Sequence, residues 1–459
     1  MIGRCDSSSP FRRPDRRPTR GPVAPPVTIA RRSVTALPSA GPLYDVAIAG
    51  GSFAGLAVAL SLRGRVAVID PQPIGEGQTS ACGTTLAALR VLDALDTVQQ
   101  VHEELVLHLA PVSRDGGAER VLVYPLPYPY CTFDYGALCR KLAARAQARG
   151  VEIVPARATG WRDGALQTDR GPVRARHVVD ATGWRAVVAR SLDPAYVRRD
   201  RLSCGLEAEL PQPAGRQARG LHFWAGHSLV WPGYAWSFPA GRVARLGVIA
   251  YAQSAQTVQG GQLESSSKGL RELLDAFLDG PAAPYWSPDG EAAWQPGAGK
   301  PTAGRHLHGG FLPAAPRRPV VGPIFVVGDA AGQCFGLTGE GIRPALAFAL
   351  RCRQLLQQAI DGACTPEQAR RAYARYVALR MPYLWLMWWL QRMVSRLTDR
   401  GLGRYSAWAH PRLVFRFLMG QYLWPADPAR AALAAMHRQD RPTSISAAGR
   451  STKDRGPGA

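Results

Sequence analysis

Lysine is nearly missing from this 459-residue chain: 56 residues are basic, and all but Lys141, Lys268, Lys300 and Lys453 are arginine. That bias reads as a GC-rich coding composition more than as a selected function. Long apolar runs are missing as well. The nearest, from Tyr383 to Leu390, falls far short of the roughly 20 residues that cross a bilayer and is flanked by Arg380 and Arg392. The eight cysteines (Cys5, Cys82, Cys131, Cys139, Cys204, Cys334, Cys352 and Cys364) have no C-x-x-C spacing, which points to a reduced, cytoplasmic protein. No histidines carry metal-ligand spacing, so no metal is expected, and His222, His227, His306 and His308 read as solvated or locally bonded. RNA-recognition, homeodomain and zinc-finger signatures are absent, which excludes nucleic acid as the partner of a net charge of +22.

A signal-peptide core is also lacking before Tyr44. Residues 1–40 hold eight arginines, from Arg4 to Arg32, against Asp6 and Asp15, and read as a disordered leader. From Tyr44 onward the pattern is that of a folded protein. With 46% hydrophobic residues the chain can bury a core spread over two or three packed lobes. Residues 45–49 read as a buried strand, 54–62 as an Ala- and Leu-rich helix, and 65–70 as a second strand. Together they predict one βαβ unit with parallel strands and a right-handed crossover. Residues 84–109 read as helical and then extended, and 134–149 as an amphipathic helix ended by Gly150. Residues 201–251 alternate like an antiparallel sheet, with Tyr234, Trp236 and Phe238 on one face. A last buried strand, 324–327, precedes a helix from about 339 to 360; beyond Pro366 the chain reads as helical, aromatic and arginine-rich to about 436, with a disordered tail over 437–459.

Three glycine-punctuated strand ends carry the chemistry. Gly50-Gly51-Ser52-Phe53-Ala54-Gly55 lies between strand and helix, where a pyrophosphate would meet helix N–H groups. Ser52 replaces the second glycine of G-x-G-x-x-G. Asp70 ends the second strand 20 residues after Gly50, where a carboxylate accepts ribose hydroxyls. The same glycine turn nearly fits the G-x-S-x-G nucleophile elbow of hydrolases, but Ala54 stands at the closing glycine and the turn comes after the first strand of the folded region. The second end is Asp180-Ala181-Thr182-Gly183. The third is Gly328-Asp329-Ala330-Ala331-Gly332, with Leu337-Thr338-Gly339-Glu340-Gly341-Ile342 opening a helix. An aspartate there can accept from a polyol, and a helix N-terminus favours negative charge on a bound ring.

In this order of motifs, over about residues 45–360, the chain resembles the geranylgeranyl reductase family of FAD-dependent oxidoreductases, within the wider group of aromatic hydroxylases, flavin halogenases and lycopene cyclases. The resemblance implies an α/β fold: an FAD-binding Rossmann-like domain of two-dinucleotide-binding type (41–115, 132–200 and 303–365), an inserted antiparallel β-sheet substrate domain (116–131 and 201–302), and a helical C-terminal region (366–436). It implies FAD contacts at Gly50, Gly51, Ser52, Phe53, Ala54, Gly55, Asp70, Asp180, Gly183, Gly328 and Asp329, with Gly339, Glu340, Gly341 and Ile342 beside the pyrimidine side of the flavin. Gly336 stands where the family commonly has proline. Cys82-Gly83 matches a cysteine-glycine pair of these reductases, which makes Cys82, with Glu340, a catalytic candidate beside the plainer reading of a packed thiol and a helix-start acid. Tyr234, Trp236 and Phe238 match a Y-x-W-x-F-P element lining an isoprenoid cavity, although such a stripe is also what a strand's core face looks like.

The expected function is therefore reduction of carbon–carbon double bonds in a hydrophobic isoprenoid or lipid-like substrate, with NADPH, NADH or a ferredoxin-type donor as reductant. Hydroxylation, a cyclase reaction without net redox, and a peripheral membrane flavoprotein without turnover are the alternatives. Halogenation is disfavoured, because the first lysine is Lys141. Residues 380–424 are the candidate surface for contact with the inner face of a membrane.

Overall fold

The alternation of large and small apolar residues in Val46-Ala47-Ile48-Ala49 already describes a strand covered on both faces. The structure, a computed structural model, describes residues 43–109, 120–212, 219–227, 229–252, 263–286 and 307–428. Numbered in chain order, β1 (Tyr44–Ala49) and β2 (Val66–Asp70) flank helix α1 (Phe53–Ala59). They sit in a six-stranded sheet with β6 (Glu152–Pro155), β10 (Ala175–Asp180), β16 (Val320–Val321) and β17 (Ile324–Val326), in the order β16-β17-β10-β1-β2-β6. All its pairings are parallel except β16 with β17.

The large residues Val46, Ile48, Val66 and Val68 face α1 and two further helices, α3 (Tyr135–Gln147) and α6 (Ile342–Ile360), in one core. Ala47, Ala49, Ala67 and Ile69 face a second core. That core is closed by α4 (Val187–Leu192) and by a small sheet of β7 (Ala158–Arg162), β8 (Ala165–Thr168) and β9 (Gly171–Val173). The start of α3 is set by Asp134, whose Oδ1 accepts from the Ala137 N–H at 2.8 Å. Its exit uses Gly150 at φ +84°.

An eight-stranded sheet stands beside this layer in the order β15-β11-β14-β13-β12-β4-β5-β3. Its strands are β3 (Gly83–Thr85), β4 (Val98–Leu109), β5 (Arg120–Phe133), β11 (Leu202–Pro211), β12 (Leu221–Gly226), β13 (Val230–Ala240), β14 (Val243–Ala250) and β15 (Leu307–Pro313). The pairings are antiparallel except β12 with β4, which run parallel from Leu221 opposite Leu105 to Ala225 opposite Leu109. Strands β3 and β4 fall in the 41–115 stretch that sequence reading groups with the nucleotide-binding portion. They extend the larger sheet instead, because alternation tells which face a residue takes but not which strand it pairs with. Helix α2 (Leu86–Val91) connects β3 towards β4. Helix α5 (Leu263–Asp279) covers one face of this sheet through Leu270, Leu274 and Phe277 packed on Leu210, Leu246 and Val248. The other face looks towards the parallel sheet.

Four helices complete the described chain: α7 (Pro366–Ala378), α8 (Met381–Val394), α9 (Asp399–Ala409) and α10 (Arg412–Leu423). Thr365 and Gln368 form a reciprocal capping box at the start of α7. The run 383–390 lies in α8 and is half covered: Leu384 is buried, while Leu386 and Trp389 are exposed. Gln391, further along α8, is buried and donates to the Gly336 carbonyl at 2.7 Å. The expected leader 1–40, His306 and the tail 437–459 lie outside the described residues.

Candidate cofactor and substrate cleft

The glycine loop is shaped by close approach of backbone. Gly50 has φ +109°, and a Cβ on it would sit 2.2 Å from the Ala181 carbonyl oxygen at the end of β10; one on Gly55 would sit 1.9 Å from the Gly50 oxygen. Glycine at both places lets β1, β10 and α1 meet at one point. Ser52 N-caps α1 without a side-chain capping bond. Its Oγ accepts from the Tyr135 hydroxyl at 3.1 Å, which leaves the serine proton free to donate. Asp70 is held in place by the glycine loop and by its own turn: Oδ2 accepts from the Gly51 N–H at 2.7 Å and Oδ1 from the Gln72 N–H at 2.9 Å. Each oxygen keeps lone-pair capacity for a hydroxyl.

These residues line one end of a single cavity of about 860 Å³, at the upper end of the usual range for cofactor and small-molecule sites. Gly50, Gly51, Ser52, Phe53, Ala54, Asp70, Gly183, Asp329, Gly339, Glu340, Gly341 and Ile342 all border it, as do Tyr234, Trp236 and Phe238 from β13. Burial pushes the Asp329 carboxyl up to about 6, against the lowering influence of Arg317.

Three expected cofactor contacts lie behind the cavity lining. Asp180 is fully buried: Oδ1 accepts from the N–H and hydroxyl of Thr182, at 3.0 and 2.6 Å, and Oδ2 from the Ala189 N–H at 2.8 Å. It fixes the turn that presents Gly183 and does not reach the cavity. Gly328 keeps φ +63° and makes room for α1, since a Cβ there would lie 3.0 Å from that of Ala54. Gly55 lets α1 close onto the Gly50 carbonyl and goes no further.

Both catalytic candidates are also corrected. Cys82 is fully buried, with φ +54°; its Sγ donates to the Ser80 carbonyl at 3.1 Å, and burial pushes the thiol well above its ordinary range. A thiol so held is neither exposed nor ionised, and it is packing. Glu340 does border the cavity, but its two oxygens accept from Nε and Nη2 of Arg343, each at 2.9 Å. A carboxylate held at both oxygens by a buried guanidinium is an anchor of the loop before α6. Gly336 has its own reason: a Cβ there would lie 2.3 Å from the Ala314 oxygen, so this loop packs too tightly for a ring.

The aromatic row of β13 is anchored residue by residue. The Tyr234 hydroxyl donates to the Thr338 carbonyl in the loop before α6. Gly83 leaves room for Phe238, whose ring a Cβ would approach to 3.2 Å. The Trp236 indole N–H donates to Glu207 Oε2 at 2.8 Å. Phe223, on the neighbouring strand, meets Tyr234 and Phe238 edge-on with ring centroids 5.5 and 5.3 Å apart. Sequence reasoning missed Phe223, Glu207, His308 and Tyr422, all of which border the cavity. The signal for Glu207 was a glycine: Gly247 lies opposite both Glu207 and Trp236 in the ladder, and a Cβ on it would fall 2.1 Å from the indole.

No protein-family model matches the chain. It is 25% identical over 323 residues to a digeranylgeranylglycerophospholipid reductase from Haloferax volcanii, a match covering 65% of this chain and 72% of that one. Among solved structures it superposes on a geranylgeranyl bacteriochlorophyll reductase-like protein from Thermoplasma acidophilum with a TM-score of 0.64 at 19% identity, over 87% of this chain and 96% of the other. It also superposes on a probable FAD-dependent monooxygenase from Pseudomonas aeruginosa, with a TM-score of 0.55 at 19% identity over 83% and 100% of the two chains. The chain thus has the fold of these two proteins and is similar in sequence to a digeranylgeranylglycerophospholipid reductase.

Proposed function

We propose that this protein reduces carbon–carbon double bonds of an isoprenoid or lipid-like substrate. The observation that carries the reading is one cavity with two kinds of wall: glycine turns with Asp70 and Asp329, and the aromatic row Tyr234, Trp236 and Phe238 with Phe223. The first wall fits FAD, since the tight glycine turn brings the start of α1, with Ser52, to the cavity and Asp70 keeps lone pairs for a ribose. Gly50, Gly51, Ser52 and Asp70 would hold the nucleotide, Asp329 the ribityl chain, and Gly339 to Ile342 the pyrimidine edge at the start of α6. When bound and reduced, the flavin supplies hydride-transfer chemistry. The aromatic wall binds the apolar chain and keeps water from it. NADPH, NADH or a ferredoxin-type protein is the source of electrons.

A lipid-like substrate agrees with the outer surface of the last helices. Among the described residues no helix is long and apolar enough to cross a membrane. Yet Leu386, Trp389, Trp408, Leu413, Phe417 and Trp424 are exposed, Leu413 at 82%. Arg392, Arg404, Arg412 and Arg416 stand among them in sequence. We read 380–424 as a surface resting on an anionic bilayer. Binding to phosphatidylglycerol vesicles, lost with Leu413→Asp and Phe417→Asp together, supports it; equal sedimentation of wild type and variant overturns it.

The test of function is anaerobic. The purified yellow protein is reduced with dithionite and mixed with digeranylgeranylglycerophospholipid or polyprenyl alcohols in micelles. Reoxidation of the flavin, with a product heavier by two hydrogens, supports the reading. Oxygen uptake with a hydroxylated product would shift it to a monooxygenase, a product isomeric with its substrate to a cyclase, and a colourless protein that stays so after reconstitution would end it.

A further inference from the structure

The cavity contains one buried acid that the flavin-binding motifs do not use. Glu207 lies in the middle of β11, directly opposite Gly247 of β14 and His308 of β15. Trp236 of β13 pairs with Gly247 in turn, so His308, Glu207, Gly247 and Trp236 form one row across four strands. Because Gly247 has no side chain, the indole crosses it and donates to Glu207 Oε2 at 2.8 Å. The other oxygen, Oε1, is buried and has no hydrogen-bond partner among the described residues, with His308 Nε2 at 3.6 Å. Glu207 is only 4% exposed, and it borders the cavity together with Trp236 and His308.

We propose that Glu207 is the proton donor of the reduction, delivering the proton from Oε1 to the alkene carbon that does not receive hydride. The inference rests on the reductase function proposed for the same cavity. The balance is simple: the double bond's electron pair takes up the Oε1 proton at one carbon while hydride from reduced FAD bonds to the other. Glu207 is left as a carboxylate and the flavin oxidised, and solvent returns the proton to Glu207.

Burial pushes the Glu207 carboxyl up to about 7, so it keeps its proton where other glutamates have lost theirs. The charged and titratable groups around it are Arg245 of β14, which favours ionisation, Glu209 along its own strand, which opposes it, His308, and the buried thiol of Cys82. Arg245 is committed elsewhere, donating to the carbonyls of Ala81 and Phe133, to Gln99 and to Glu209. The indole bond to Oε2 leaves Oε1 as the oxygen that carries the proton.

Glu207→Gln keeps an acceptor for the indole and removes the acid. It is expected to bind FAD and to be reduced by dithionite as the wild type is, but to reoxidise with alkene slower by about 100-fold or more. Glu207→Asp should recover part of that loss. A readout independent of turnover is the infrared carboxyl band titrated in the protein freed of flavin: a protonated band with a midpoint near 7 in the wild type, missing in Glu207→Gln. Wild-type-like reoxidation in Glu207→Gln, or a carboxyl already ionised at pH 5, overturns the assignment and leaves the reductase function standing. A wild type that reduces no alkene overturns that function instead, whatever the infrared band shows.

Discussion

Arg343 binds both oxygens of Glu340 at 2.9 Å and, from the same guanidinium, donates to the carbonyls of Leu423 and Ala426 at 3.0 Å and of Tyr422 at 3.3 Å. One buried side chain thus ties the loop before α6 to the end of α10, and with it Tyr422 and Met419, which border the cavity.

Replacing Arg343 by methionine should therefore do two things. It strands a carboxylate whose side chain is only 9% exposed, a loss of about 3–5 kcal/mol, and it releases the end of α10 from the cavity. Urea denaturation measures the first. Flavin fluorescence recovered in the filtrate, as FAD dissociates more readily, measures the second.

Gly50→Ala should leave little bound flavin. The new Cβ meets the Ala181 carbonyl at 2.2 Å in a backbone with φ +109°, a combination costing at least ~2 kcal/mol. The ratio of visible to ultraviolet absorbance reads flavin occupancy directly, and a wild-type ratio would mean that this turn does not cradle the cofactor.

Cys82→Ala is expected to keep turnover within a few-fold of wild type and to lose about 1 kcal/mol of stability, since the buried thiol makes one weak bond to Ser80. Steady-state kinetics beside a melting curve separates packing from chemistry. A collapse of turnover with an unchanged melt would return the thiol to the mechanism.

Stability should depend on pH through Glu207. Its folded-state pKa of about 7 lies above the ordinary value of 4.5, so between those values the folded protein holds a proton that the unfolded chain has released. The resulting stabilisation is complete below about pH 4.5 and is lost as pH rises through 7, a span of roughly 3 kcal/mol. Asp329, raised to about 6, adds in the same direction. Glu207→Gln should flatten the fall in denaturation free energy between pH 5 and 7.5 without abolishing it.

The strand ends were legible in the sequence because each announces itself twice, by an apolar run and by the glycine after it. Gly51, Gly183 and Asp329 were found that way, Asp70 as the acid that closes the second strand, and all border the cavity. Asp180 misled because an acid at a strand end looks the same whether it faces a ligand or caps the next turn. Cys82 carried no local sign of its burial. Glu207 was hidden for another reason. In Leu206-Glu207-Ala208-Glu209-Leu210 the two acids share a face, which in a sheet with one wet side is the solvent face. Only the opposing layer, which no local pattern reveals, turns that face inward. The parallel pairing of β12 with β4 was illegible on the same ground, since its partners are over a hundred residues apart.

The interleaving of the two large sheets bears on how the protein is made. β3, β4 and β5 are synthesised between β2 and β6 but stand in the other sheet, and β17, which covers the edge of β10, is completed only at residue 326. Until then a nascent chain on the ribosome carries unfinished apolar edges, the condition that invites aggregation and recruits chaperones. Neither sheet can be produced by itself as a short clone, and fragments stopped ahead of that residue belong in inclusion bodies.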